Sequence, residues 1–234
     1  MNLAGESIGA SRWTEKRLKV LHDSRLLPGG AVAAAWKKMQ VPPPVLVQAS
    51  AVGIYGNSDE TSDENTHTAD DLMARLCKAW EASTDSVIAL GTRRVVIRSG
   101  VVLEGHKGIL PQMMLPFTLF VGGPIGRGGQ WISWIHIQDE VKAIRFLLEG
   151  AAFSGVFNLT SPNPLTNSQF GRELSAVMHR PYWFPTPALL LKIALGRMSS
   201  LVLEGQKVMP NRLMKAGFEF TYPDLPSALA NLSG

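Results

Sequence analysis

Two short β-branched runs constrain this 234-residue chain more than anything else in it. Val45-Leu46-Val47-Gln48-Ala49 and Arg94-Val95-Val96-Ile97-Arg98 have the continuous apolar character of strands buried on both faces, which is the signature of a parallel sheet. Such a sheet needs helices to cover it, and helical spacing supplies them. Trp13, Leu18, Leu21 and Arg25 recur about one turn apart, predicting a helix over Trp13–Leu26. Pro28-Gly29-Gly30 is expected to interrupt it, with helical character resuming over Ala31–Met39 and ending at Pro42-Pro43-Pro44. Thr68-Ala69-Asp70-Asp71 reads as a capping box with Thr68 as the cap, opening a helix that carries Leu72, Met73, Leu76 and Trp80 on one face. Further helices are expected near 109–120, 140–149, 168–178, 186–196 and 224–232. Strands alternating with helices in this way imply an α/β fold built on a parallel sheet. Beyond Asn158 the strands thin out, so residues 1–157 read as the sheet-bearing domain and 158–234 as a small, mostly helical C-terminal lobe on the substrate side.

Composition narrows the function. A net charge of +4 with a pI near 9.3 is mildly basic, but Lys and Arg are scattered and no basic–aromatic stripe argues for nucleic acid. Cys77 is the single cysteine, which excludes a disulfide framework and points to a reducing, cytoplasmic setting. The five histidines lack metal-ligand spacing, so no metal is expected. No secretory signal pattern is visible, and the longest apolar stretches, such as Pro187–Leu195, fall far short of a membrane span.

An ordered set of segments carries a resemblance. It runs through Asn2-Leu3-Ala4-Gly5-Glu6, Arg12-Trp13, Asp23-Ser24-Arg25, Ser50-Ala51-Val52-Gly53-Ile54-Tyr55-Gly56 and Cys77-Lys78-Ala79-Trp80-Glu81. It continues with Arg98-Ser99-Gly100-Val101-Val102-Leu103, Gly122-Gly123-Pro124-Ile125-Gly126 and Trp134-Ile135-His136-Ile137. Glu204-Gly205-Gln206-Lys207-Val208-Met209-Pro210 and Ala216-Gly217-Phe218-Glu219-Phe220 complete it. Together these resemble the extended short-chain dehydrogenase/reductase superfamily, in its sugar-nucleotide epimerase-like branch with a C-terminal domain of unknown function. The resemblance implies a Rossmann-type sheet, NADP(H) or alternatively NAD(H) as cofactor, and a nucleotide-sugar or carbonyl substrate. It also implies a glycine-rich βαβ unit ahead of Asn2, so that roughly the first 50–60 residues of a complete dinucleotide fold are expected to be missing. The sheet is then incomplete, and the Asn2–Ala4 strand is expected to be an open edge through which copies of the chain associate. A truncated, inactive product is one reading of that.

Candidate site residues follow. The resemblance places Leu3, Ala4 and Gly5 on the adenosine side of the cofactor, with Arg25 facing it and suited to phosphate oxygens. Ser50, directly after a buried strand, is the hydroxyl that the superfamily uses on a reacting carbonyl; a hydroxyl capping a strand end reads almost as well. Tyr55 is a nearby phenol or a packed turn residue. Ser99, Gly100 and Val102 fall where the resemblance puts the nicotinamide, or else form a tight strand exit. The loop Gly122–Gly129 reads as a flexible substrate-side loop, with Arg127 a partner for an anionic substrate. His136 is a candidate acid/base or a hydrogen-bonded structural residue, and Asp139 is the expected N-cap of the next helix. One departure stands out. The superfamily's Tyr-x-x-x-Lys pair should lie on the helix through Asp71, Ala74, Arg75 and Lys78, and that helix has no tyrosine. A non-catalytic, cofactor-binding or interaction relative is therefore the alternative to an oxidoreductase or epimerase.

Overall fold

The two apolar runs lie side by side in the computed structural model, which describes residues 1–232. In chain order the first elements are α1 (Glu15–Lys38), β1 (Val45–Ala51), β2 (Ser58–Ser62), α2 (Leu72–Ala82), β3 (Arg93–Ser99), β4 (Val101–Leu103) and α3 (Leu110–Thr118). Then come β5 (Trp131–Ile132), β6 (Trp134–His136), α4 (Ile137–Glu149), β7 (Gly155–Leu159) and β8 (Leu165–Thr166). The chain continues through α5 (Asn167–Met178), α6 (Ala188–Leu195), α7 (Ser200–Leu203), β9 (Gln206–Val208), α8 (Asn211–Lys215) and α9 (Leu225–Leu232). β1, β3 and β7 form a parallel sheet in that order, and Asn2 extends it by one parallel bridge to Gln48. No helix among the described residues is long and apolar enough to cross a membrane.

Alternate side chains of a strand face opposite ways, so register sorts the core. Val47 and Ala49 of β1, Val95 and Ile97 of β3 and Phe157 of β7 share one face, covered by Ala143 and Leu147 of α4. Leu46 points the other way, against Ala33 of α1 and Val87. Each apolar side chain so enclosed stabilises the fold by about 1.5–3 kcal/mol relative to exposure. Helices on both faces are what allow these strands to dispense with polar alternation.

Two local expectations are corrected. Helix α1 runs unbroken from Glu15 to Lys38 through Pro28. A proline removes one hydrogen bond, and here packing outweighs that loss: a Cβ on Gly29 would meet the Ser83 hydroxyl at 2.0 Å, so α1 is seated hard against the end of α2. The cap of α2 is Asp71, whose side chain accepts from the Ala74 amide at 2.9 Å, and not Thr68. The division at 157/158 falls inside β7, and residues beyond it are interlocked with those before it. β9 pairs with β2, while Leu213 and Phe218 enter the same core cluster as Val47 and Ile97.

The seat of α1 yields a test. Gly29→Ala gains about 1 kcal/mol of helix propensity but forces an overpacking cost of about 1–3 kcal/mol. Urea denaturation should show net destabilisation, relieved in the Gly29→Ala/Ser83→Gly double variant.

Candidate active site at the carboxyl edge of the sheet

Ser50, Arg98 and Asn158 are the penultimate residues of β1, β3 and β7, and register sets them abreast on one face. Arg98 donates through Nε and Nη2 to the Glu81 carboxylate of α2, at 2.8 and 3.0 Å. Its Nη1 donates to the Tyr55 hydroxyl at 3.0 Å, and that hydroxyl donates to Asn158 Oδ1 at 2.8 Å. Ser50 completes the set, donating to Glu81 Oε1 at 2.6 Å. Burial pushes the Tyr55 phenol above its ordinary range, against the pull of Arg98. Burial alone would weaken the Arg98 charge, and the Glu81 carboxylate outweighs it. The structure thus brings Ser50 and Tyr55 into one buried network, Ser50 tying α2 to β1 and Tyr55 joining β3 to β7.

The opposite face of the same edge is different. Ser99, the last residue of β3, sits with its hydroxyl 2.6 Å from Glu140 Oε1 in the first turn of α4. Glu140 is 7 % exposed, its Oε2 has no partner among the described residues, and burial pushes the carboxyl up to about 7. Gly100 makes the turn from β3 into β4: a Cβ there would lie 2.4 Å from the Ser133 carbonyl oxygen. Its amide donates to the Leu159 carbonyl at 3.0 Å and is thereby committed to the fold. Val102, half-buried in β4, pairs with Ile135.

At the N-terminal margin, Asn2 is hydrogen-bonded into the sheet while Leu3 is half exposed. Arg25 of α1 lies over Gly5, where a Cβ would come within 3.1 Å of its guanidinium carbon. The guanidinium donates to the Leu21 and Glu6 carbonyls at 3.0 and 3.1 Å and stacks 4.8 Å above the Trp80 ring. No carboxylate among the described residues pairs with it; the Glu6 carboxylate is turned to Arg17, 3.3 Å away. Arg25 is therefore a buried cation with no ion-pair partner among the described residues, and burial weakens its hold on its proton.

Arg127 is exposed on the wall of a separate cleft of about 660 Å³, shared with Asn57, Lys192 and Arg197. Its loop is pinned rather than free: Gly122 accepts from the Trp183 and Phe184 amides, and Ile125 bridges to Thr186. His136 is fully buried and caps α4, its Nδ1 accepting from the Gln138 amide at 3.0 Å, with the Tyr222 ring tilted against it at 4.0 Å between ring centres. Burial lowers its pKa, so the ring is neutral. The cap is thus His136 and not Asp139, whose carboxylate instead accepts from the Thr221 and Tyr222 amides at 2.8 Å each.

Comparison with known proteins places this geometry. Residues 186–232 match the model of a domain of unknown function, DUF1731. Epimerase family protein YfhF of Bacillus subtilis is 44% identical over 234 residues, covering 99% of this chain and 77% of that protein. The chain belongs to the epimerase family. Human epimerase family protein SDR39U1 (isoform 2), solved with NADPH, has a TM-score of 0.93 at 36% identity over 99% of this chain and 80% of that one. A nucleoside-diphosphate sugar epimerase from Corynebacterium glutamicum has a TM-score of 0.78 at 30% identity, over 96% of this chain and 45% of that one. The Rossmann-like α/β architecture inferred from the sequence is the one these structures share.

The donor set of this epimerase-family chain suits a nicotinamide dinucleotide. An unpaired guanidinium beside a bare glycine backbone answers a phosphate anion, and strand carboxyl ends are where open α/β sheets bind ligands. Helix α2 offers no tyrosine, and its Cys77 is a buried thiol pushed up to about 11, poorly suited to proton transfer at neutral pH. Sequence reasoning missed Glu81, Asn158, Glu140, Lys192 and Arg197. Glu81 had a signal, since it shares the inner face of α2 with Cys77 and Trp80 at helical spacing.

Proposed function

We propose that this chain is an NAD(P)-dependent epimerase- or dehydratase-like oxidoreductase, with NADP(H) preferred, acting on a nucleotide-sugar or another carbonyl compound. The observation that carries the reading is the buried, unpaired Arg25 over Gly5 at the carboxyl edge, in a chain 36% identical to a relative solved with NADPH. In this reading Leu3, Ala4 and Gly5 border the adenosine, and Arg25 faces its phosphates. Ser99, Gly100 and Val102 border the nicotinamide. The cofactor, when bound, supplies or accepts hydride, and the protein orients it and excludes water. The Arg98–Glu81 network, with Ser50 and Tyr55, holds the strand ends rigid beneath the site. Arg127 receives an anionic substrate group in its cleft. Such a protein acts in the cytoplasm, and the half-exposed Leu3 beside Asn2 offers an edge for self-association.

Titrating the native gene product with NADPH, followed by ligand fluorescence, tests this. Binding at about micromolar Kd or tighter is expected; no binding at about millimolar NADPH sinks the reading. The absence of a tyrosine on α2 favours a second reading, a relative that binds cofactor without turnover. NADPH binding with no conversion of any carbonyl or nucleotide-sugar would select it.

A further inference from the structure

Glu140 is the anomaly at this edge. Buried carboxylates are normally ion-paired or fully hydrogen-bonded, because an uncompensated buried charge is costly. Among the described residues the Glu140 carboxyl makes one hydrogen bond, with the Ser99 hydroxyl at 2.6 Å, and its second oxygen is buried without a hydrogen-bond partner. Among the described residues, the titratable groups beside it on α4 are engaged elsewhere. His136 is tied to Gln138 and Asn231, Asp139 to the Thr221 and Tyr222 amides, and Lys142 to Thr221. Arg98 lies on the other face of β3, locked to Glu81. The position of Glu140 near the start of α4 favours an anion, yet burial wins. The arrangement is a buried carboxyl that accepts only from the Ser99 hydroxyl, and burial raises its hold on a proton.

We infer that Ser99 and Glu140 form a charge-adaptive pair beneath the nicotinamide ring, neutral beside the reduced ring and anionic beside the oxidised, positively charged one. The inference rests on the proposed nicotinamide site and goes beyond it by assigning the redox preference of that site. A cation placed near the pair favours the carboxylate, so binding of NADP⁺ releases the Glu140 proton, whereas binding of NADPH does not. The proton leaves to buffer, and no bond other than O–H changes. The sign follows from linkage: NADP⁺ affinity rises with pH towards about 7 and then levels off once free Glu140 is already ionised.

The experiment measures the ratio of the NADP⁺ and NADPH dissociation constants from pH 5.5 to 8, for the native gene product and its Glu140→Gln variant. The 2′-phosphate is common to both nucleotides, so the ratio isolates the ring charge. The wild type should shift towards NADP⁺ by about tenfold, equivalent to one pKa unit, and Glu140→Gln should be flat. Calorimetry of the wild type at pH 6, in two buffers of different ionisation enthalpy, should show proton release with NADP⁺ only. A flat wild-type ratio, or a slope that survives in Glu140→Gln, overturns the inference while leaving the nicotinamide site standing. Failure of both nucleotides to bind overturns the site itself and the inference with it. Without nucleotide, the contribution of Glu140 to stability should fall as pH rises from about 4.5 to about 7, because the folded chain retains a proton that the unfolded chain releases. Thermal melts of the wild type should show this loss, and those of Glu140→Gln should lack it.

Discussion

Replacing Arg98 with leucine is expected to destabilise the protein by about 3–5 kcal/mol, the cost of leaving one half of a buried ion pair uncompensated. The loss spreads through three elements. Glu81 of α2 keeps only the Ser50 hydroxyl, and Tyr55 loses its donor while still facing Asn158 of β7. Urea denaturation should read the whole effect, and Ser50→Ala should cost only about 1 kcal/mol because a single neutral donor to the carboxylate is lost. The Arg98→Leu/Glu81→Leu double variant should be more stable than Arg98→Leu alone, since no orphaned charge remains. A double variant as weak as the single one would show that the guanidinium acts through packing against the Tyr55 ring, 5.2 Å away, rather than through charge.

Arg25→Met should behave in the opposite way. Among the described residues Arg25 has no carboxylate partner to strand, and methionine preserves much of its apolar stem against Trp80 and Gly5. Its two hydrogen bonds go to backbone carbonyls, so stability should fall by only about 1–2 kcal/mol. NADPH affinity should fall far more in relative terms, by about 10–100-fold, the worth of a charge-assisted contact to phosphate. Fluorescence titration of NADPH alongside urea denaturation separates the two effects. Unchanged NADPH affinity would remove Arg25 from the binding site. Two buried arginines, one paired and one not, thus make opposite predictions: one for stability and one for binding.

The strands at Val45–Ala49 and Arg94–Arg98 were legible because burial on both faces demands β-branched continuity, which is a property of neighbouring residues. The five longer helices from 110 to 232 were legible from local periodicity, with errors at their ends, whereas the short helices Ser200–Leu203 and Asn211–Lys215 were not. The unbroken passage of α1 through Pro28 was not, because the contact that sustains it, Gly29 on Ser83, joins positions far apart in sequence. The same distance hid the roles of the polar residues. Nothing near Ser50 in the chain shows that Glu81 will accept its proton, or that Arg98 and Asn158 will stand beside it.

Local periodicity and backbone chemistry therefore carried the fold class, the longer helices, the two central strands and the family resemblance, for these depend on residues within a few positions of one another. The fate of each polar side chain was settled by register and helix docking. A shift of one residue in β3 would exchange Arg98 for Ser99, turning a paired arginine into the Glu140 face and the serine into the Glu81 network. Whether a carboxyl becomes a structural tie like Glu81 or an unpartnered acid like Glu140 depends on which charges packing brings within a few ångströms. Electrostatic energy in a desolvated interior is set by that separation in space.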